Sequence, residues 1–374
     1  MTISVAINLL WLVPGDVGGS EESTVASLRG LIALAPADLD LRLLVLEPFA
    51  EAHPDLVAAL PTEVLSLSGR SRAARVLGEA TWLARRTKGV DLVHHAGGTA
   101  PPRHRTPYVL TLHDLQPLER QATHSAAKRA YLKAVIPRSV RGALRVIVPS
   151  GFVRDTVVDH TGIDPGKVAV VPHGVERHRA PSAESDLRAR FDLDGHVVLY
   201  PAITYPHKNH ATLVEAFARV LSSHPDALLV LTGRADSAEP ALLDQVARLG
   251  IASRVRRLGR VPTADLAGLY DLARVVAVPS RYEGFGLPAI EAMAHEAALV
   301  VATGTALTEV AGDAAWARDP DDVEGWAEAI GGLLDDFGAT LRLRHLGSER
   351  ATHFTVAANA QGLAEVYRAS LRGS

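Results

Sequence analysis

The chain has 374 residues, 47% of them hydrophobic and 22% charged, with a net charge of −3 and no cysteine. That length exceeds one ordinary hydrophobic core, so two domains are expected. The charge balance speaks against nucleic acid as a partner, the missing thiols exclude disulfides, thiolate metal sites and a cysteine nucleophile and suit a cytoplasmic protein, and no apolar run reaches the ~20 residues of a membrane span.

The charge is uneven. Residues 1–180 carry 21 Lys and Arg against 17 Asp and Glu, a balance of +4, whereas 181–374 carry 18 against 25, or −7. A basic first half suits an anionic acceptor or a membrane surface. Residues 4–13 read as a buried first strand, without the basic n-region of a signal peptide. The loop PGDVGGS (14–20) follows, and its Gly18-Gly19 pair precedes a helical stretch over about 21–35. Backbone N–H groups there suit an anion, and a plain strand-to-helix turn is the alternative. Residues 41–46 and 63–67 read as the next strands. Between 71 and 88 lies a basic amphipathic helix with Arg72, Arg75, Trp82, Arg85 and Arg86, either a solvated face or a membrane-docking one.

DLVHHAGG (91–98) and YVLTLHDL (108–115) are strands ending in polar residues. They bring His94, His95 and His113 to a carboxyl edge, where open α/β sheets bind ligands, and the spacing of these histidines makes no metal site. A second basic helical stretch covers 128–145. RVIVPSGFVRD (145–155) then gives strand, loop and helix, with Ser150 suited to the helix cap rather than to a ligand. KVAVVPHGVE (167–176) is the last strand of this half, and the polar residues 176–194 read as a linker.

In the second half, 196–220 is strand, loop and helix, with Lys208 and Asn209 ending the loop and helical periodicity over 211–220. Strand and turn follow at 227–236, then strand and helix over 255–273, with Gly259, Arg260 and Val261 between them. Residues 275–291 read VVAVPSRYEGFGLPAIE. The β-branched run 275–278 is a strand buried on both faces, Gly284 and Gly286 make a loop free to take φ > 0, and Leu287-Pro288 open a helix. A glycine loop feeding a helix N-terminus favours phosphate. Glu283 and Glu291 frame it.

GFGLPA also fits the loose dinucleotide fingerprint, but that motif belongs to a first βα unit with an acid closing the next strand. Here the next strand, 298–302, ends in Thr303-Gly304. Glu291, on the helix itself, is the better ribose holder, and its plain alternative is a first-turn acid on the helix dipole. Residues 316–334 close this half and 354–371 form a terminal helix. About five strand–helix alternations in each half predict two parallel, helix-flanked sheets of α/β class facing across a cleft.

The run E-G-F-G-L-P-x-x-E, followed by EAMA and by TEVAGDAA (308–315), resembles the donor-site signature of the retaining glycosyltransferases of family 4, which have the GT-B fold. The two acids separated by seven residues are the best-known mark of that family. The resemblance implies two Rossmann-like domains: residues 1–178 on the acceptor side and 190–352 holding the donor. A helix over 353–374 returns to the N-terminal domain. It also implies metal-independent, cofactor-free transfer of a hexose, with retention, from a nucleotide diphosphate sugar to an acceptor hydroxyl. GDP-mannose is slightly favoured over UDP-glucose or a dTDP-deoxysugar as donor. The acceptor would be a glycan, a lipid-linked sugar or a small molecule, with peripheral membrane contact a separate expectation.

Carried onto this sequence, Lys208 would meet the donor diphosphate, together with the Gly18-Gly19 amides and the loop Gly284, Phe285, Gly286 leading into Leu287, and Asn209 would belong to the same donor site. Glu291 would hold the ribose, Glu283 the hydroxyls of the donor sugar, and His113 the same sugar from the facing domain. Gly259, Arg260 and Val261 would bracket the base, and V-P-H-G-V (171–175) resembles the crossing between domains. One departure stands out: many relatives place an arginine five residues before the lysine, where this chain has Ile203. A phosphorylase or epimerase of the same architecture, or a catalytically idle sugar-nucleotide-binding subunit, are the rival readings. Intact Glu283, Glu291, Lys208 and His113 oppose the idle subunit.

Overall fold

The structure, a computed structural model, describes residues 2–16, 18–102, 106–116, 126–177 and 180–372. The chain divides into two units, Met1–Gly174 with Thr355–Ser374, and Val175–Phe354. In the first, β1 (Ile3–Asn8), β2 (Leu39–Leu46), β3 (Thr62–Leu65), β4 (Leu92–His95), β5 (Tyr108–Thr111), β6 (Arg145–Val148) and β7 (Val168–Val170) form one sheet in the order β3-β2-β1-β4-β5-β6-β7. In the second, β8 (His196–Pro201), β9 (Ala227–Thr232), β10 (Val255–Gly259), β11 (Val275–Val278), β12 (Ala298–Ala302) and β13 (Ala315–Arg318) lie in the order β10-β9-β8-β11-β12-β13. Every pairing is parallel.

Parallel strands need crossover helices, which cover both faces of the sheet and bury its centre. Accordingly β4, β5, β11 and β12 are buried along their whole length. Strand order reverses between β1 and β4 in one unit and between β8 and β11 in the other. The crevice beyond the carboxyl ends of such a pair is where a doubly wound sheet receives its ligand.

Several expectations are corrected. The first strand stops at Asn8 rather than running to residue 13, because Asn8 Oδ1 accepts the Leu10 N–H (3.1 Å) and turns the chain. Leu9, Leu10 and Leu12 stay buried beyond the turn, which is why they mimic strand. The basic stretch 71–88 is not one helix but an α-helix (Arg72–Gly78), a π-helical turn (Glu79–Leu83) and a short α-helix (Ala84–Arg86). Arg75 turns its guanidinium onto the Trp11 carbonyl (3.0 Å), and Arg86 pairs with Glu63 (3.0 Å) and lies over the Trp82 ring. Those cations serve the fold. The second basic stretch is the helix Ala126–Gly142, and the side chain of Lys128 there lies outside the described residues, as does that of Arg72. Among the described residues no helix is long and apolar enough to cross a membrane.

The linker expected at 176–194 is largely structured: the helix Glu184–Phe191 buries Leu187, and Arg190 pairs with Asp265 (2.7 Å). His178 and Arg179, within that expected linker, lie outside the described residues. The chain instead changes unit at Gly174–Val175 and again at Phe354–Thr355, with Val175 N–H donating to the Phe354 carbonyl (2.8 Å). A Cβ on Gly174 would stand 2.4 Å from Val356 Cα, so only glycine fits the crossing. The terminal helix, Val356–Arg372, packs in the first unit against the helix Gly19–Leu34. The helix Phe337–Ala351 had no counterpart in the sequence reading.

Candidate active site

In the second unit the loop after β8 ends in a single 3₁₀ turn, Pro206–Lys208, and Asn209 takes a left-handed conformation (φ 59°) to start the helix His210–Val220. Asparagine tolerates that conformation better than most residues. Its side chain is fully spent on the scaffold: Nδ2 donates to the Pro279 (3.1 Å) and Pro320 (2.6 Å) carbonyls, and Oδ1 accepts Thr212 Oγ1–H (2.9 Å). Asn209 therefore braces the loops after β8 and β11. The brace leaves Lys208 pointing across the reversal point, where Nζ meets Glu283 Oε1 at 2.6 Å. Lys208 is largely shielded and Glu283 buried. Tyr200 fixes the arrangement from below by donating its hydroxyl to the Lys208 carbonyl (2.8 Å) and sharing a bond with Ser280 Oγ (2.9 Å).

Gly286, at φ 97°, sits at the N-terminus of the helix Leu287–Ala294, whose first turn contains Pro288. A Cβ there would lie 2.4 Å from Leu307 Cδ2, so both the space and the left-handed backbone demand glycine. Gly284, expected to share that freedom, is not among the positive-φ glycines. Phe285 is buried edge-on to Phe354, with centroids 5.8 Å apart. One turn into the helix, Glu291 Oε2 accepts the Tyr270 hydroxyl (2.6 Å). Tyr270 in turn stacks on His295, which bonds Asp271 (2.8 Å). At the sheet's other end Gly259 (φ 68°) closes β10, its carbonyl accepting the Gly233 N–H (2.8 Å), with Arg260 exposed and Val261 half-buried. Ile203 is half-buried, and the nearby Arg234 donates to the Tyr205 hydroxyl (3.2 Å).

The first unit holds Gly18, Gly19 and His113. Gly18 (φ 65°) caps the helix Gly19–Leu34, its carbonyl accepting the Glu21 N–H (2.9 Å). Val17, in that loop, lies outside the described residues. Glu21 and Glu22 already complement this helix's dipole, and Glu21 also accepts the Gly15 N–H (2.8 Å), so anion binding here would rest on the glycine amides. The three expected edge histidines differ. His94 and His95 are the last two residues of β4, as expected, but both are buried there rather than exposed. His94 bonds the Tyr367 hydroxyl (2.8 Å) and Thr111 Oγ1 (2.7 Å); His95 bonds Asn8 (3.0 Å).

His113 lies just past β5, half-buried. Its Nε2 faces the Ala96 carbonyl (3.1 Å), so Nε2 carries the proton, and Nδ1 accepts from His173 Nε2 (3.4 Å). Burial pushes His94 down to about 3 and His113 to about 4, and holds His173 well below the ordinary histidine value. All three are neutral imidazoles. A cavity of about 40 Å³ lies among them, bounded also by Ser27 and Asn359, with room for a water or two.

The sequence matches the family description Glycosyltransferase Family 4 over residues 17–179 and Glycosyl transferases group 1 over residues 195–336. The D-inositol 3-phosphate glycosyltransferase of Kineococcus radiotolerans is 32% identical over 313 residues, covering 75% of this chain and 72% of that protein. The chain belongs to glycosyltransferase family 4. The namesake from Segniliparus rotundus is 31% identical over 313 residues, covering 79% of this chain, and the chain spans 65% of that relative's length. Among solved structures, the Anabaena protein HepE in complex with UDP and glucose superposes with a TM-score of 0.79 at 20% identity, over 98% of this chain and 100% of that one. This likeness bears on the fold alone, which is of GT-B type: two parallel-sheet α/β units.

Within this family 4 chain, Lys208 and Glu283 come together on one sheet edge, and the loop 284–287 continues from them. Three contributors escaped the sequence reading. Tyr270 reads as a core residue of its helix, yet holds Glu291. Tyr200 reads as part of a buried strand, yet supports Lys208. His173 reads as part of a crossing motif, yet orients His113. Aromatic hydroxyls in otherwise apolar elements were the available signal, since such groups seek a partner when buried.

Proposed function

We propose that this family 4 protein transfers a hexose, with retention and without a metal ion, from a nucleoside diphosphate sugar to an acceptor hydroxyl. One observation carries the reading: an ammonium (Lys208) and a carboxylate (Glu283) meet at the carboxyl ends of β8 and β11, beside a glycine-led helix N-terminus. Such a place suits a diphosphate whose negative charge grows as the sugar leaves. In this reading Lys208 and the amides around Gly286 hold the leaving diphosphate. Glu291, steadied by Tyr270, accepts from the ribose hydroxyls. Glu283 accepts from the sugar hydroxyls and so fixes the anomeric carbon. His113, neutral, contributes hydrogen bonding without charge. With Ile203 where many relatives carry arginine, neutralisation rests more heavily on Lys208.

For the acceptor, the relatives' shared name supports a small polyol phosphate as the first candidate, and the basic balance of residues 1–180 suits an anion. The testing experiment is a thermal-shift panel of UDP, GDP and dTDP with their hexose esters, GDP-mannose and UDP-glucose included, followed by transfer to inositol phosphates. A ligand at 100 times its Kd adds about 2.7 kcal/mol, a readily visible shift. The expected result is one base family that stabilises. A panel in which every compound leaves the melting curve unmoved overturns the reading.

A further inference from the structure

Lys208 and Glu283 are each other's main ionic partner at 2.6 Å, and their side chains keep only 19% and 11% of their exposure. Neither can withdraw by moving the backbone, since the Lys208 carbonyl is held by Tyr200 and the Glu283 carbonyl by the Ala306 N–H (3.2 Å). We propose that this pair makes recognition conditional on the sugar: the site accepts an intact nucleoside diphosphate sugar and discriminates against the free nucleoside diphosphate that transfer leaves behind. The inference rests on the donor-site reading above and adds a selectivity to it.

A diphosphate that draws Lys208 to itself takes the cation from Glu283, and a shielded carboxylate without its counter-charge is strongly disfavoured. When the sugar is attached, its hydroxyls donate to the Glu283 oxygens and replace what was lost. When the sugar is gone, nothing replaces it. The free diphosphate also carries one more negative charge than the sugar ester, on the phosphate that the sugar had occupied, and so on the side nearest Glu283. That extra charge also strengthens the pull on Lys208, so the discrimination rests on the counter-charge of Glu283 that nothing replaces. Release of the product then restores the Lys208–Glu283 bond, which favours turnover over product inhibition. Lys208 has three N–H donors. The rival geometry keeps the Glu283 bond while a second N–H turns to phosphate, and there the two ligands bind alike.

The test is calorimetric titration of the full chain, native and Glu283→Gln, with the nucleoside diphosphate selected by the thermal-shift panel and with its hexose ester. The native protein is expected to bind the ester roughly tenfold more tightly than the diphosphate. Glu283→Gln keeps the shape and removes the charge, so it should tighten the diphosphate several-fold, weaken the ester, and abolish or invert the preference. Equal binding of both ligands by the native protein overturns the proposal, as does a Glu283→Gln protein with unchanged or weaker diphosphate binding. In either case the donor site itself still stands. If neither ligand binds the native protein, the donor reading fails with it. Should Glu283→Gln fold poorly, the comparison within the native protein decides alone.

Discussion

The two sheets end in different chemistry. At the carboxyl edge of the first, His94, His113 and His173 are polar but uncharged, each bonded to peptide, hydroxyl or imidazole. At that of the second, Lys208, Glu283 and Glu291 keep charged groups, steadied by Tyr200 and Tyr270. The same doubly wound architecture thus offers one edge suited to neutral hydrogen bonding and one suited to an anion. Burial without a counter-charge neutralises a histidine, whereas Lys208 and Glu283, shielded together, are each other's partner at 2.6 Å.

The comparison breaks most readily at Lys208. Lys208→Ala should lower kcat/KM on the order of 10²–10³-fold, the usual consequence of losing one group that meets developing charge. Steady-state transfer rates decide it, and a rate within threefold of native would move the anion's partner elsewhere.

The neutral edge is probed by acid. His94 and His113 have folded values of about 3 and about 4, below the unfolded histidine value, so the unfolded chain binds more protons as pH falls. Their contribution to stability is complete above about pH 6.5 and is lost as pH drops towards 4, with each histidine approaching about 1.4 kcal/mol per pH unit. Urea midpoints measured from pH 7 to pH 5 should fall accordingly. Replacing His94 with glutamine should flatten the slope, and an unchanged slope would mean that histidine is not buried neutral.

Gly286→Ala forces a Cβ into Leu307 at φ 97° and should cost about 1–3 kcal/mol while loosening the anion loop. Equilibrium denaturation and nucleotide affinity should worsen together. Tyr270→Phe removes the hydroxyl that donates to Glu291 (2.6 Å) and, at longer range, to the Pro288 carbonyl (3.4 Å), and a hydrogen bond to a carboxylate is worth about 1.5 kcal/mol, or roughly tenfold in donor KM with kcat kept. The smallest effect belongs to Ser150, which caps the helix Gly151–Thr161 by accepting the Val153 N–H (3.2 Å). Ser150→Ala should lower stability by about 1 kcal/mol and leave donor KM unchanged. A shifted KM would instead make Ser150 a ligand contact.

Much of this was legible in the chain. The run 275–278 appears as β11 with those bounds, and the helix after Gly286 begins at Leu287. Less legible were positions where a side chain answers a distant backbone. Asn209 ends a loop in sequence, but its amide reaches the Pro279 and Pro320 carbonyls, which no local pattern announces. Residues 9–12 have the apolar character of strand yet turn, because one asparagine side chain competes for the backbone. Polar residues 184–191 look like linker, but a single buried Leu187 and the Arg190–Asp265 pair suffice to seat them as a helix.

By itself the sequence determined the alternation of strand and helix, the glycine that must begin the helix at Leu287, and the acids on either side of it. Those follow from interactions within a turn or two of chain, where period, capping and φ preference act. Only the tertiary structure decided that Lys208 meets Glu283, 75 positions away, that Tyr270 steadies Glu291, and that His173 orients His113. Those meetings depend on which strands become neighbours where the order of the sheet reverses. That choice is made by the packing of whole crossovers rather than by any short stretch of residues.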